Sequence, residues 1–172
     1  MQQIIPKQEN AMKLATIVLL AAVVMFLSLG AFAVDATGNL SVSANVQNVC
    51  SVTDGSIDFG TYDPASGSPK NVTGTFSVQC TNGGTAHIKL DQGQNGTGTL
   101  DAPVRRLANG SNYLSYALFS DTDRVIPWEG TNGVDFTGSG DMDEVTVYGQ
   151  MSAGQSAIPG SYTDTVQVTV TY

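Results

Sequence analysis

Apolar and polar residues trade places every second position along much of this chain, and the beat is strictest in two stretches. In Thr37 to Cys50, Leu40, Val42, Ala44 and Val46 share one parity, and Asn39, Ser41, Ser43, Asn45 and Gln47 the other. In Ser161 to Tyr172, Tyr162, Val166, Val168, Val170 and Tyr172 fall on one side, against Thr163, Thr165, Gln167, Thr169 and Thr171. Successive side chains of a strand point to opposite faces, so both stretches predict strands with one buried and one wet face. The first is readable in two ways: as the opening strand of the chain's own sandwich, or as a strand lent to a neighbouring molecule.

Between these stretches lie shorter runs of the same kind. Val72 to Cys80 places Val72, Phe76, Val78 and Cys80 on one face, with Gly74 as a gap that marks a bulge or the close approach of another backbone. Ser56 to Tyr62 sets Ile57 and Phe59 together, and Ala86, Ile88 and Leu90 do the same farther on. Leu114, Tyr116 and Leu118 alternate with Ser115, Ala117 and Phe119, and Val145 pairs in parity with Val147. Pro127 in Arg124 to Trp128 suits an edge or a turn. Asp91 to Thr99 and Val134 to Asp143 read as loops from their glycine and polar content. No stretch beyond residue 33 repeats apolar residues at helical spacing, so the expected class is an all-β sandwich, with Greek-key connections possible.

The first 33 residues differ in kind. Lys7 and Lys13 precede an apolar run from Leu14 to Leu29, broken only by Thr16 and Ser28, and Ala31-Phe32-Ala33 offers small residues for cleavage. This predicts a secretory signal cut after Ala33, or after Ala36, with Met12 as an alternative start. A run of roughly 16 residues is short for a membrane anchor, which needs about 20, so no membrane span is expected after cleavage. The 139 residues left of 172 suit one domain. They keep five basic side chains against every acidic residue but Glu9, a net charge of -9 that argues against nucleic acid as a partner.

Export changes how the two cysteines are read. Cys50 and Cys80 both lie in the exported part, and an even count in an oxidising compartment predicts a disulfide, with Cα atoms about 4.4 to 6.8 Å apart. Structural zinc wants four ligands, for which two cysteines and the single His87 are too few. Asp121 with Asp123 and Asp141 with Asp143 invite calcium, but neither pair is followed by the glycine and glutamate of an EF-hand loop. Hydrolytic chemistry needs a nucleophile, a base and an orienting acid; no serine stands in such a motif, and His87 falls on the wet face of its run. No catalytic residue, metal or cofactor is expected. Sequons stand at Asn39, Asn71, Asn95 and Asn109, a pattern common by chance.

Taken in order, the alternating leader, Phe59-Gly60-Thr61-Tyr62, Val78-Gln79-Cys80, Arg106-Leu107, Leu114-Ser115-Tyr116-Ala117-Leu118-Phe119-Ser120-Asp121, Trp128, Val147-Tyr148-Gly149 and Pro159-Gly160-Ser161-Tyr162-Thr163-Asp164 resemble one family. It is the spore coat U domain proteins, which include the pilin subunits of archaic chaperone-usher pili. The family commonly has glycine straight after the tryptophan, whereas Glu129 stands between Trp128 and Gly130 here.

The resemblance implies an incomplete immunoglobulin-like Greek-key sandwich lacking its last strand, completed by donor-strand exchange. It implies a signal at 1–33, a donor-strand leader at 34–47 carrying Leu40, Val42, Ala44 and Val46, and a pilin domain at 48–172. The C-terminal row Tyr162, Val166, Val168, Val170 and Tyr172 would line the open groove. Neighbouring subunits, a periplasmic chaperone and an outer-membrane usher are the implied partners, and a surface pilus serving adhesion and biofilm formation the implied role. A spore or cell-surface coat protein of the same fold is the alternative, and a secreted enzyme a remote one.

Overall fold

The computed structural model describes residues 33–131 and 133–172, so all of the expected signal except Ala33 lies outside the described residues. The chain divides into two compact units, Met1–Ala44 and Asn45–Tyr172, and the fold is that of the second. Its described elements are strands: β1 Cys50–Ser56, β2 Lys70–Cys80, β3 Thr85–Leu90, β4 Thr97–Gly98, β5 Pro103–Asn109, β6 Asn112–Phe119, β7 Val134–Thr137, β8 Met142–Met151 and β9 Val168–Thr171. They form a six-stranded sheet, in the order β1-β2-β8-β6-β5-β4, and a three-stranded one, in the order β7-β3-β9.

Each long strand buries the parity its sequence offers. Phe76, Val78 and Cys80 of β2, Leu114, Tyr116 and Leu118 of β6, and Val147 and Met151 of β8 meet Ala86, Ile88 and Leu90 of β3 in one core. Trp128 joins the two sheets: its backbone N–H donates to the Leu118 carbonyl and its Nε1 to that of Ile88, both at 2.8 Å. Both of the tryptophan's polar donors are thus satisfied inside the core, where an unmet one would be costly.

Two glycines on the inner faces admit other groups. A Cβ on Gly74 would collide with the Ser56 carbonyl and the Ile57 side chain, so the gap in the β2 row is where the β1 chain crosses close by. The β1–β2 register shifts between Thr53 and Ser56, which puts the bulge on β1. Gly149 of β8 leaves room for Ile57, Phe59 and Val72.

Some expected elements differ. Ser56 to Tyr62 is no strand beyond Ser56; β1 lies just before it, and Ile57 and Phe59 reach the core from irregular backbone past the bulge. Val134 to Asp143 opens with β7, whose Val134 and Phe136 alternate with Asp135 and Thr137 beside β3. Asp91 to Thr99 contains β4 and is tied down: the Asp91 carboxylate accepts from the Gly93 and Gln167 N–H groups.

Cys50 and Cys80 form a disulfide with Cα atoms 4.1 Å apart, just under the expected range. They face each other across β1 and β2, where Thr81 N–H donates to the Val49 carbonyl one step beyond; such non-hydrogen-bonded pairs are the closest in an antiparallel ladder. The bond ties edge strand β1 to the sheet. Replacing both cysteines with serine is expected to cost about 2 to 4 kcal/mol, read as a lower Tm of the purified protein. An unchanged Tm would mean that the bond adds nothing to stability.

Candidate functional site

An open groove separates β1 and the segment after it from the C-terminal segment of the chain. A cavity of about 830 Å³ lies at one end, floored by Phe76, Leu118 and Val147 and walled by Val52 and Ile57 on one side and Val166 and Val168 on the other. A second, of about 720 Å³, is bounded by Phe59, Leu107, Leu114, Met151, Ile158 and Tyr162. Ile57 lines both. The chain from Val52 to Tyr62 therefore runs along one wall in the opposite sense to Tyr162 to Val168 on the other.

The C-terminal wall has one bonded edge and one free edge. Asp91 N–H donates to the Gln167 carbonyl and Gln94 N–H to that of Thr165, while Ala108 and Thr163 exchange a pair. Odd-numbered residues are thus tied to β3, the loop after it and β5, and the N–H and C=O groups of Asp164, Val166 and Val168 turn to the groove side. Among the described residues they have no backbone partner there. Because the bonded neighbour changes from β3 to β5 along this run, only Val168–Thr171 forms a regular ladder, and the clean strand expected over Ser161 to Tyr172 is shorter.

The predicted site residues distribute as follows. Tyr162, Val166 and Val168 are half-buried and line the groove. Val170 packs against the core opposite Ile88, outside both cavities, and Tyr172 is exposed beyond the end of β9, so the lining row is shorter than its parity suggests. Residues 33–49 carry no strand; Leu40, Val42 and Val46 are 87%, 84% and 79% exposed, and Ala44 is exposed as well. An apolar alternating segment in water gains from any apolar face that will take it.

A polar cluster went unread in the sequence because its members sit in apolar rows or look like surface charge. Asp164 takes the place of an apolar residue in the C-terminal row, and its carboxylate accepts from Tyr116 Oη at 2.7 Å and from Asn95 N and Nδ2 at 3.1 Å. Burial, then the bond to Asp164, pushes the Tyr116 hydroxyl pKa well above its usual value, so it stays a neutral donor. Arg105 is buried and donates from Nε to the Asp91 carbonyl and from Nη2 to those of Leu90 and Trp128. Desolvation lowers its pKa, opposed by the nearby Tyr116, Asp91, Asp164 and Glu129. Arg105 and its neighbours fasten β3, β5 and the Trp128 loop together behind the groove.

The other candidates are dispersed. His87 pairs with Asp135 at 2.6 Å on an exposed face, a contact worth little in water. Asp121 accepts from the Val125 and Ile126 N–H groups, and Asp143 from Ser139, so each closes its own turn. Among the described residues no three acidic, histidine or cysteine side chains gather as metal ligands.

Val168→Asp would place an unpaired carboxylate against Phe76 and Val147 at the groove wall. It is expected to cost several kcal/mol and abolish accumulation of the folded protein. Normal yield would show that this face is wetter than its lining implies.

The family model of the Spore Coat Protein U domain matches residues 36–169, which takes in the alternating stretch from Thr37, both cysteines and the groove walls. The chain belongs to the Spore Coat Protein U domain family. "Protein U" of Myxococcus xanthus, a relative, is 40% identical over 178 residues, covering 95% of this chain and 99% of its own length. Among solved structures, this spore coat U chain is similar to one in the CsuC-CsuE chaperone-tip adhesion subunit pre-assembly complex from archaic chaperone-usher Csu pili of Acinetobacter baumannii. The TM-score is 0.52 at 20% identity, over 74% of this chain and 40% of that one. The spore coat U chain thus spans two fifths of that longer chain, and the likeness is one of fold: an all-β, immunoglobulin-like sandwich, here with a groove open along its C-terminal strand.

Proposed function

We propose that the chain is an exported structural subunit of a surface pilus, assembled through a chaperone-usher pathway by donor-strand complementation and serving adhesion and biofilm formation. The observation that carries this reading is the groove: a trough floored by Phe76, Leu118 and Val147, with unpaired backbone along one wall, in a chain that also presents an exposed strand-patterned leader. An open sheet edge over an apolar floor is an aggregation hazard unless something pairs with it. In this reading residues 1–33 are removed on export and 34–47 form the leader. A periplasmic chaperone covers the groove of each new subunit, an outer-membrane usher releases it, and the leader of the next subunit takes the chaperone's place. The subunit needs no cofactor and performs no catalysis.

The relative called Protein U and the family's own name favour a second reading, a coat protein of spores or of the cell surface built by the same strand exchange. Antibody-gold labelling of cells producing the protein separates the two. Thin labelled fibres on growing cells, lost with the gene together with surface attachment, are expected for the pilus. A uniform label over spores, with no fibres, would replace that reading with the coat.

A further inference from the structure

The groove is not uniform, and its waist bears on how an incoming strand is registered. Along the C-terminal wall the larger cavity reaches from Val168 to Thr165 and the smaller from Tyr162 to Ala157. Thr163 and Asp164 line neither, and this interval is where the Asp164 carboxylate reaches across to Tyr116 Oη. The trough is therefore two chambers, one floored by Phe76, Leu118 and Val147 and the other by Leu114 and Met151, separated by the Asp164–Tyr116 bar.

The leader has a matching irregularity. Leu40, Val42, Ala44 and Val46 form one row whose third member is small. From Leu40 to Val46 is six residues, about 20 Å of strand, and so is Tyr162 to Val168. Resting on the reading of the groove as a donor-strand acceptor, we infer that the leader of a second copy enters antiparallel to the C-terminal strand, with Ala44 over the Asp164–Tyr116 bar. Leu40 then lies opposite Val168 and Val42 opposite Val166 in the larger chamber, and Val46 lies opposite Tyr162 in the smaller.

Two observations fix direction and frame. The free backbone edge is continuous on the C-terminal wall, whereas the other wall is regular strand only as far as Ser56, so most of the new ladder forms with the C-terminal strand, where antiparallel pairing is the more stable. Sliding the leader by two residues would press Val42 or Val46 onto the half-buried Asp164 carboxylate and leave Ala44 half-filling a chamber. Asp164 is thus a positioning residue that indexes the strand.

Cysteine cross-linking tests the register. A synthetic leader spanning Thr37 to Val49 and carrying Val42→Cys is mixed with the mature, disulfide-bonded chain carrying Val166→Cys, Asp164→Cys or Val168→Cys. Opposed strand pairs lie within disulfide reach and pairs two residues off do not, so the Val166→Cys chain should cross-link at least about tenfold faster than the Val168→Cys chain. Because Asp164→Cys removes the bar itself, the frame is also read on the otherwise native chain by binding of peptide variants. Ala44→Leu should weaken binding by at least about tenfold through overpacking, and Val42→Leu far less. Peptide that binds but cross-links fastest to Val168→Cys, or that tolerates Ala44→Leu, overturns the register and leaves the acceptor groove standing. Peptide that does not bind at all overturns both.

Discussion

Placing a carboxylate in the leader is expected to stop assembly while leaving the subunit intact. Val42 and Val46 are largely in water already, so Val42→Asp or Val46→Asp removes no core contact and should shift the Tm of the purified protein by no more than about 1 °C. In a neighbour's groove the same position becomes apolar. Losing a buried valine forfeits about 1.5 to 3 kcal/mol, and desolvating an unpaired charge adds more, so the sum of about 4 kcal/mol weakens strand insertion roughly a thousandfold. Each variant should accumulate with its disulfide formed, fail as a donor, and still accept a wild-type leader into its own groove. Measuring subunit level and polymer formation separately distinguishes this from an internal first strand. If the level falls together with the polymer, the leader belongs to the subunit's own core.

A large effect on the body of the fold is expected at Arg105. Its fork satisfies the Leu90, Asp91 and Trp128 carbonyls from inside the core, so Arg105→Met removes the only side-chain donor that any of these three carbonyls has among the described residues. Leaving buried acceptors unmet costs about 1 to 3 kcal/mol each, and water can reach the partly exposed Asp91 more readily than the other two. A loss of about 3 to 5 kcal/mol follows, a large share of the 5 to 15 that holds a typical domain together. Arg105→Lys should recover only part of it, because a single ammonium nitrogen replaces the two separate guanidinium nitrogens that reach these carbonyls. Urea unfolding of the purified protein measures both. A loss under about 1 kcal/mol for Arg105→Met would show that solvent or a shift of the Trp128 loop meets these carbonyls instead.

The strands that could be read in the sequence are those whose two faces see different surroundings. β2, β6 and β3 alternate because one face is core and the other faces outward, and the chemistry of each position records which. β1 escaped notice because it is an edge strand exposed on both faces apart from Cys50, so Ser51 to Ser56 carries no beat. β7 is four residues long among glycines and aspartates, too short for its Val134 and Phe136 to stand out. Arg105 beside Arg106 looks like surface charge; burial is decided by carbonyls that come from β3, its following loop and Trp128, all remote in sequence. The groove had a partial signature in the paired patterns of leader and C-terminus, and its floor and waist came only with the packing of Ile57 and the position of Asp164.

That the groove takes this chain's own leader as its missing strand is tested most directly by adding the leader in trans. The mature chain is melted alone, with an excess of a peptide spanning Thr37 to Val49, and with the same peptide carrying Val42→Asp. A ligand that binds only the folded state at a thousandfold over its Kd stabilises by about 4 kcal/mol, so the native peptide should raise Tm by roughly 10 °C or more and the variant hardly at all. Equal melting curves for all three samples would mean that the groove does not receive this strand.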